Sequence, residues 1–480
     1  MQLILADILR IEDSTEIPRI CCPDTGIPLW STIRISFLET ILRDLFYEMP
    51  IPNGHSQRLG ARLRQATMIS RSFFYNSLRY HSLDQEYPTM VMATGARLIE
   101  HGGRYFNCLS DYFVSSEPNT TFVLEDLFNW KWPFPRHYEK MLLHTPLRVS
   151  GALMGRLRSN HYIEPARVLV DLVCRRAKDM IGWNIDDVRR RWLEKKCANN
   201  SASLLPRYRR YQSIFERMGT RLIIKEESCY GGADNASAIL AAKNLGIVTA
   251  EYQHGSVSSG HIAYNFAPSI LSAQSYLQTL PTYFLAYGSW WGRQINAPVD
   301  VIVIGNPHRA ETLKFSADDI HSQRQILVLG DGIDTKRYLD LCQRLVLSLE
   351  GIAQVVFRPH PLERASVWAK YTGGFIGETR IDTNQDIYAS FRMARAVVSE
   401  VSTGLFEAIG LVPKVFIWNT LKANFSFPMH PFQSFSDANE LAGLILDESA
   451  GRVSNQQIEE IWASDWQRNY LNFIKQVVPK

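Results

Sequence analysis

From residue 221 onward, short apolar runs alternate with amphipathic stretches, and most runs end in Gly, Ser, His or charged residues. The runs Arg221-Leu222-Ile223-Ile224, Ile247-Val248-Thr249-Ala250-Glu251-Tyr252, Tyr283-Phe284-Leu285-Ala286-Tyr287-Gly288 and Val299-Asp300-Val301-Ile302-Val303-Ile304-Gly305 read as one series of strands. A second series follows in Gln325-Ile326-Leu327-Val328-Leu329-Gly330, Gln354-Val355-Val356-Phe357, Ala396-Val397-Val398 and Pro413-Lys414-Val415-Phe416-Ile417-Trp418, with helices expected over 335–349 and 403–410. Short apolar strands separated by helical periodicity belong to parallel sheets covered on both faces. Earlier in the chain, Thr89-Met90-Val91-Met92-Ala93 and Phe122-Val123-Leu124 predict further strands, with turn signals at 50–54 and 101–103. Residues 137–218 repeat apolar positions every three to four residues and read as mostly helical, and 458–478 read as one final amphipathic helix.

Two strand series in 480 residues exceed what one core organises. The pattern predicts an α/β protein with two Rossmann-like domains facing a cleft and a helical insertion in the N-terminal half. The expected divisions are 1–305 with the insertion at 137–218, then 306–455, then 456–480 as a helix packing back on the first domain. Composition is that of a globular chain, 46% hydrophobic and 21% charged. Trp130, Trp132, Trp290 and Trp291 come in pairs of the kind that line a sugar site or pack a core.

A net charge of +4 is too small to point to nucleic acid. The basic residues are uneven, however, and those between 148 and 210 form either a solvated helical face or a contact for anionic lipid or glycan. Seven scattered cysteines without paired zinc spacing fit a reducing compartment. The first residues lack a basic leader, and no apolar run reaches the roughly 18 residues of a membrane span. A cytoplasmic protein is expected, with peripheral contact at the inner membrane at most.

In parallel sheets ligands bind beyond the carboxyl ends of the strands, so the residues just after each run are the candidates for chemistry. In the second series these are Gly330-Asp331-Gly332, Arg358-Pro359-His360-Pro361 and Ser399-Glu400-Val401-Ser402-Thr403-Gly404, the last leading into Glu407. Glycines admit close approach of a phosphate, an arginine fork and a histidine can bind it, and hydroxyls at a helix start either bind it or simply cap the helix. In the first series they are Glu226-Glu227-Ser228 and Gln253-His254-Gly255, where His254 or Glu227 is the candidate general base. Asn306 sits near the junction of the two series. There is no Asp-x-Asp, Walker loop or His-Glu-x-x-His, so neither metal nor cofactor is expected.

Gln253-His254-Gly255, Gly305-Asn306-Pro307, Arg358-Pro359-His360-Pro361 and the 399–403 segment together resemble the GT-B transferases of bacterial capsule, lipopolysaccharide and teichoic-acid assembly. The resemblance spans about residues 220–420. It implies that His360, Pro361, Ser402 and Thr403 engage the nucleotide phosphate of a CMP-linked sugar, and that His254 and His360 matter for catalysis. The sequence departs from the CMP-sialic-acid enzymes in that Asp331-Gly332 lies in the second half, so the base stays open between His254 and Glu227. The implied activity is transfer of a sugar, sialic acid or Kdo first, to a glycan or glycolipid. A CDP-glycerol or CDP-ribitol transferase and a UDP-sugar transferase use the same loops. An inactive scaffold of the same fold is the reading from another class.

Overall fold

The computed structural model describes residues 3–47, 59–80, 85–314, 324–349, 351–361, 363–371 and 373–478; the turn expected at 50–54 lies outside them. Strands β1 (Thr89–Thr94), β2 (Leu98–His101), β3 (Arg104–Asn107), β4 (Thr121–Asp126), β5 (Met141–Leu143), β6 (Leu222–Lys225), β7 (Val248–Tyr252), β8 (Tyr283–Ala286) and β9 (Asp300–Val303) come first. Strands β2 and β3 pair as an antiparallel hairpin. The other seven form a sheet in the order β5-β4-β1-β6-β7-β8-β9, parallel throughout.

Strands β10 (Gln325–Leu329), β11 (Gln354–Arg358), β12 (Phe375–Ile376), β13 (Thr379–Ile381), β14 (Ala394–Ser399), β15 (Lys414–Trp418) and β16 (Gln433–Phe435) build the second sheet. Its order is β12-β13-β11-β10-β14-β15-β16, parallel except for the β12–β13 pair. The chain is therefore α/β with two Rossmann-like halves, the GT-B architecture. The strands are buried almost residue for residue, as in Leu222–Lys225, because helices cover both faces. The helix Thr335–Leu349 shows how: Tyr338, Leu341, Cys342, Leu345 and Leu349 fall on one stripe and are buried.

The segment expected to be mostly helical contains helices Thr145–Arg158, Ile163–Ile181 and Asp187–Arg217, but it opens with β5. Met141, Leu142 and Leu143 pair in register with Val123–Glu125 at the sheet edge; three residues are too few to show alternation in a sequence. Much of the basic charge of this region is taken up within the fold. Arg207 pairs with Asp234 at 2.6 Å, Arg189 with Asp44 at 2.7 Å and Arg190 with Asp171 and Glu194. Arg176 donates to the carbonyls of Arg10, Ile11 and Asp13.

The final helix is broken in two, Asn455–Ile461 and Trp466–Val477. The break occurs where the chain crosses from the second half to the first, and contacts at the crossing hold it. Trp291 Nε1 donates to the Ile461 carbonyl at 2.8 Å, and Trp462 Nε1 to that of Phe406 at 3.1 Å. Only glycine fits at 288, where a Cβ would lie 2.2 Å from the Glu460 carbonyl oxygen. Beyond the break, Trp466, Tyr470, Phe473, Ile474 and Val477 pack on Val91, Leu222, Ile224, Ala250 and Leu285 of the first sheet. Large apolar side chains buried this way stabilise the docking by roughly 1.5–3 kcal/mol each. Trp290 and Trp291 are buried against Phe406 in this joint, so these two rings are core, while Trp132 is half-buried and packs on Tyr75 and Phe134.

Candidate functional site

Each sheet has one point where successive crossovers run to opposite sides, and there the loops part and leave a crevice. In the first sheet it lies between β1 and β6, in the second between β10 and β14. The loops bordering these points are 95–97, 226–230, 330–332 and 400–404. The two carboxyl edges face one another. The Ser256 hydroxyl lies 3.3 Å from Thr403 Oγ1, the Ser256 N–H donates to the same oxygen at 3.4 Å, and Ser258 donates across to the Ser426 carbonyl.

On the first sheet, Glu227 takes the left-handed conformation (φ +59°), which costs a side-chain-bearing residue about 1 kcal/mol. Asn235 Nδ2 holds its carbonyl at 2.6 Å. This reversal sends neighbouring carboxyls opposite ways. Glu226 turns inward to accept the Thr94 N–H at 2.9 Å, while Glu227 stays exposed with Oε1 3.9 Å from His254 Nε2. Behind His254, Glu251 Oε1 stands 4.0 Å from Nδ1. Glu251 is buried, accepts the Cys229 N–H and the Tyr264 hydroxyl, both at 2.7 Å, and so ties the 228–230 turn to β7.

His254 therefore stands between two carboxyls, and its Nδ1 is buried without a hydrogen bond among the described residues. Burial lowers its pKa to about 3, with the charge of His261 and of Arg97 adding to the effect, so the ring is neutral at pH 7. Burial raises the carboxyls of Glu226 and Glu251 to about 7. Gln253 does not enter the cleft. It is buried, donates to the Gly255 carbonyl at 2.7 Å and accepts the Tyr287 N–H at 2.9 Å, which fixes the turn carrying His254 and Gly255. Asn306 likewise acts on backbone, accepting the Arg309 N–H at 3.1 Å; Arg309 in turn holds the carbonyls of Glu407 and Ile409.

On the second sheet the nominated residues separate into two groups. Gly332, His360, Ser402 and Thr403 are part-exposed on the crevice side, with Pro361 exposed beside them. Gly330 and Gly404 are buried, and the Asp331 carboxylate is taken up by Lys422 and the N–H groups of Ile333 and Asp334. The His360 ring lies against Gly332, where a Cβ would come within 2.9 Å of Nδ1 and where φ is +76°. The His360 N–H donates to Glu363 Oε1 at 2.8 Å, and burial lowers the imidazole pKa. Ser402 Oγ accepts the Gly404 N–H at 3.1 Å, and the helix that follows, Gly404–Ala408, is only five residues long. The hydroxyl thus closes a local turn ahead of Thr403, the N-cap, which itself makes no side-chain capping bond, and so short a helix adds little dipole.

The second group is structural. The Arg358 guanidinium is buried and turned inward: Nη1 meets Asp382 Oδ2 at 2.5 Å, Ser390 Oγ at 3.1 Å and the Asn384 carbonyl at 2.9 Å, and Nη2 the Gln385 carbonyl. It holds the 382–390 segment, and its buried charge is paired with Asp382 rather than presented to the crevice. Ser399 Oγ donates to the buried Leu329 carbonyl at 2.8 Å. Glu400 is buried and bound by Lys422 at 2.5 Å, Arg337 at 3.3 Å and Thr420. Burial raises the Glu407 carboxyl, offset in part by Arg97, Tyr388 and Arg309.

Lys422 bridges Glu400 and Asp331 and so welds together the two loops of the second switch point. It follows β15 in Asn419-Thr420-Leu421-Lys422, a strand end that carries no motif. A separate cavity of 290 Å³, lined by Ile409, Leu411, Val412, Val453 and Ile458, lies at the amino end of β15, opposite the edge where these loops meet.

No protein-family profile matches the chain, and no curated protein does. Solved structures with a similar course include a UDP-GlcNAc 2-epimerase from Methanocaldococcus jannaschii (11% identity, 81% of this chain and 99% of that one, TM-score 0.44). The wall teichoic acid polymerase TagF gives 11% identity over 88% of this chain and 100% of that one, with a TM-score of 0.41. The glycotransferase of kitacinnamycin gives 10% identity over 82% and 100%, with a TM-score of 0.44. Likenesses this distant carry no argument about chemistry, which rests on the site.

Proposed function

We propose that the chain is a glycosyltransferase that binds a nucleotide-activated sugar at the second switch point and an acceptor hydroxyl at the first. The observation that carries this reading is the meeting of the two crevices. Gly330–Gly332 and His360 stand on one wall, His254 and Glu227 on the other, and Ser256 touches Thr403 between them. In the reaction, the acceptor oxygen forms the new bond to the donor's anomeric carbon as the bond from that carbon to the phosphate oxygen breaks. The hydroxyl proton passes to the Glu227 carboxylate, and the electron pair leaves with the phosphate, which His360 and the 330–332 backbone receive. His254, neutral and between two carboxyls, orients the acceptor. CMP-linked sialic acid or Kdo is the first donor to try. The same loops accommodate CDP-glycerol, CDP-ribitol or a UDP-sugar.

Thermal unfolding with CMP, CDP, UDP and GDP tests the donor half. One nucleotide at 100 times its Kd raises stability by about 2.7 kcal/mol and Tm by a few degrees. His360→Ala should reduce that rise. A Tm unmoved by all four would remove the reading.

We further infer that the acceptor side rests on an anionic membrane surface, through the adjoining helices Leu59–Tyr80 and Thr145–Arg158. Neither helix contains Asp or Glu, and together they carry seven arginines, Arg62, Arg64, Arg71, Arg79, Arg148, Arg156 and Arg158. Leu63, Phe74 and Leu78 are exposed on the first and Leu153 and Leu157 on the second, Phe74 at 67% and Leu157 at 73%. Arg79 pairs with Glu139 and Arg148 with Asp126, while Arg62, Arg64, Arg156 and Arg158 have no acidic partner among the described residues; apolar side chains among these four match acyl chains beneath anionic headgroups. The protein should sediment with vesicles containing phosphatidylglycerol and not with phosphatidylcholine alone, and Phe74→Asp with Leu157→Asp should abolish it. Equal sedimentation with both vesicles, or by the double variant, would sink the idea. Among the described residues no helix is long and apolar enough to cross a membrane.

A further inference from the structure

One residue at the first switch point belongs to no motif. Beyond β1 the chain makes a single turn, Gly95–Arg97, capped by Thr94 Oγ1 accepting the Ala96 N–H at 3.3 Å. Strand β1 pairs with β6 from Thr89 to Met92, which sets this turn beside Glu226 and Glu227. Its backbone is pinned on three sides. The Thr94 N–H donates to Glu226, the Arg97 carbonyl accepts the Cys108 N–H at 3.1 Å, and Gly95 abuts the Asp126 carbonyl.

The Arg97 side chain, by contrast, is exposed and makes no hydrogen bond or ion pair among the described residues. The arginines packed deeper around the cleft differ. Arg34 is held by Glu12 and two carbonyls, Arg136 by Asp111 and Glu125, Arg309 by two carbonyls and Arg358 by Asp382. A rigid mount under an unpaired guanidinium at a switch point is an arrangement for an incoming anion.

We propose that Arg97 binds a phosphate of the donor nucleotide, reaching it from the first sheet's wall and so completing a site whose other wall is the 330–332 and 360 loops. This rests on the transferase reading. The placement agrees with where the charge of Arg97 is felt. It contributes to lowering His254 and His308 on the first half and its junction, and His360 across the cleft, and it helps hold down the Glu407 carboxyl. The groups that feel this charge stand on both walls. The wall facing it lacks the arginine expected there, because Arg358 is spent on Asp382; Arg97 supplies that charge from the opposite side. It also adds a reason for closure, since a phosphate seated by His360 and Arg97 together draws the two halves onto it.

The test is titration calorimetry of wild type, Arg97→Gln and Arg97→Lys with CMP, UDP, the nucleosides cytidine and uridine, and inorganic pyrophosphate. Arg97 is exposed, so both variants should melt with the wild type, and Tm is measured alongside. The expected result is nucleotide and pyrophosphate binding at least tenfold weaker in Arg97→Gln, partly restored in Arg97→Lys, with nucleoside binding unchanged. Nucleotide binding by Arg97→Gln equal to wild type overturns the proposal and leaves the transferase reading standing. Pyrophosphate binding that Arg97→Gln loses, with no nucleotide bound by wild type, supports the anion site and overturns the donor. Wild type that binds none of these probes overturns both.

Discussion

Replacing His254 by alanine should lower sugar transfer about 10²-fold or more while leaving the melting temperature close to that of wild type. Both halves of the expectation follow from the site. The ring stands 3.9 Å from Glu227 and 4.0 Å from Glu251, on the wall where an acceptor hydroxyl must be held. Its Nδ1 has no hydrogen bond among the described residues to lose, so removing it leaves few partners unsatisfied. Glu227→Gln should cost as much in rate, because the amide keeps the shape but does not take a proton. The pH dependence separates two roles for His254. With its pKa held near 3, the ring is neutral from pH 5.5 to 8, and the ratio of wild-type to His254→Ala rates should be flat over that range. A histidine serving as the free base would titrate near its ordinary value of about 6.5 and deprotonate as pH rises, so the ratio would grow toward pH 8. Growth of that kind, measured as kcat/KM, would move the base from Glu227 to His254.

Arg358→Ala should lose about 3–5 kcal/mol of stability, read as a shift in denaturant midpoint at unchanged slope. The mutation strips the buried Asp382 of its counter-charge and the carbonyls of Asn384 and Gln385 of their donors. An uncompensated buried carboxylate accounts for the size of the effect. Replacing Arg358 by Met and Asp382 by Leu together should recover much of the loss, since neither charge is then stranded. A phosphate-binding Arg358 would behave the other way. The alanine variant would fold with wild-type stability and bind nucleotide an order of magnitude or more less tightly.

The contrast between Arg358 and Arg97 shows what the sequence makes legible. Strand ends were readable because buried parallel strands are short, apolar and followed by turn residues, and Gln325–Leu329, Val248–Tyr252 and Lys414–Trp418 begin and end within two residues of expectation. The same rule nominated Gly255 and Thr403, which approach each other across the cleft, a Cβ at 255 lying 3.8 Å from Thr403 Oγ1. It does not say which way a side chain turns. Arg358 is the last residue of its own strand and points to Asp382, Asn384 and Ser390, partners 24 to 32 positions away that no local pattern reveals. Ser399 and Glu400 turn inward for the same reason. Arg97 and Lys422 escaped notice because each follows a strand in an unremarkable run, and their meaning comes from strand order. Sheet order places β1 and β10 beside the switch points, and nothing in one strand's composition encodes it. The break at 462–465 was equally hidden, since 455–461 and 466–477 are both amphipathic and only the crossing between halves requires the gap.

The most direct test of the account is amide hydrogen exchange with and without saturating CMP, CDP, UDP and GDP, each in turn. The account predicts that at least one of them slows exchange at 330–332, 360 and 402–404 and, across the cleft, at 95–97 and 254–256. Exchange unchanged at all of these segments, or slowed only around the cavity at 409–413, would contradict it.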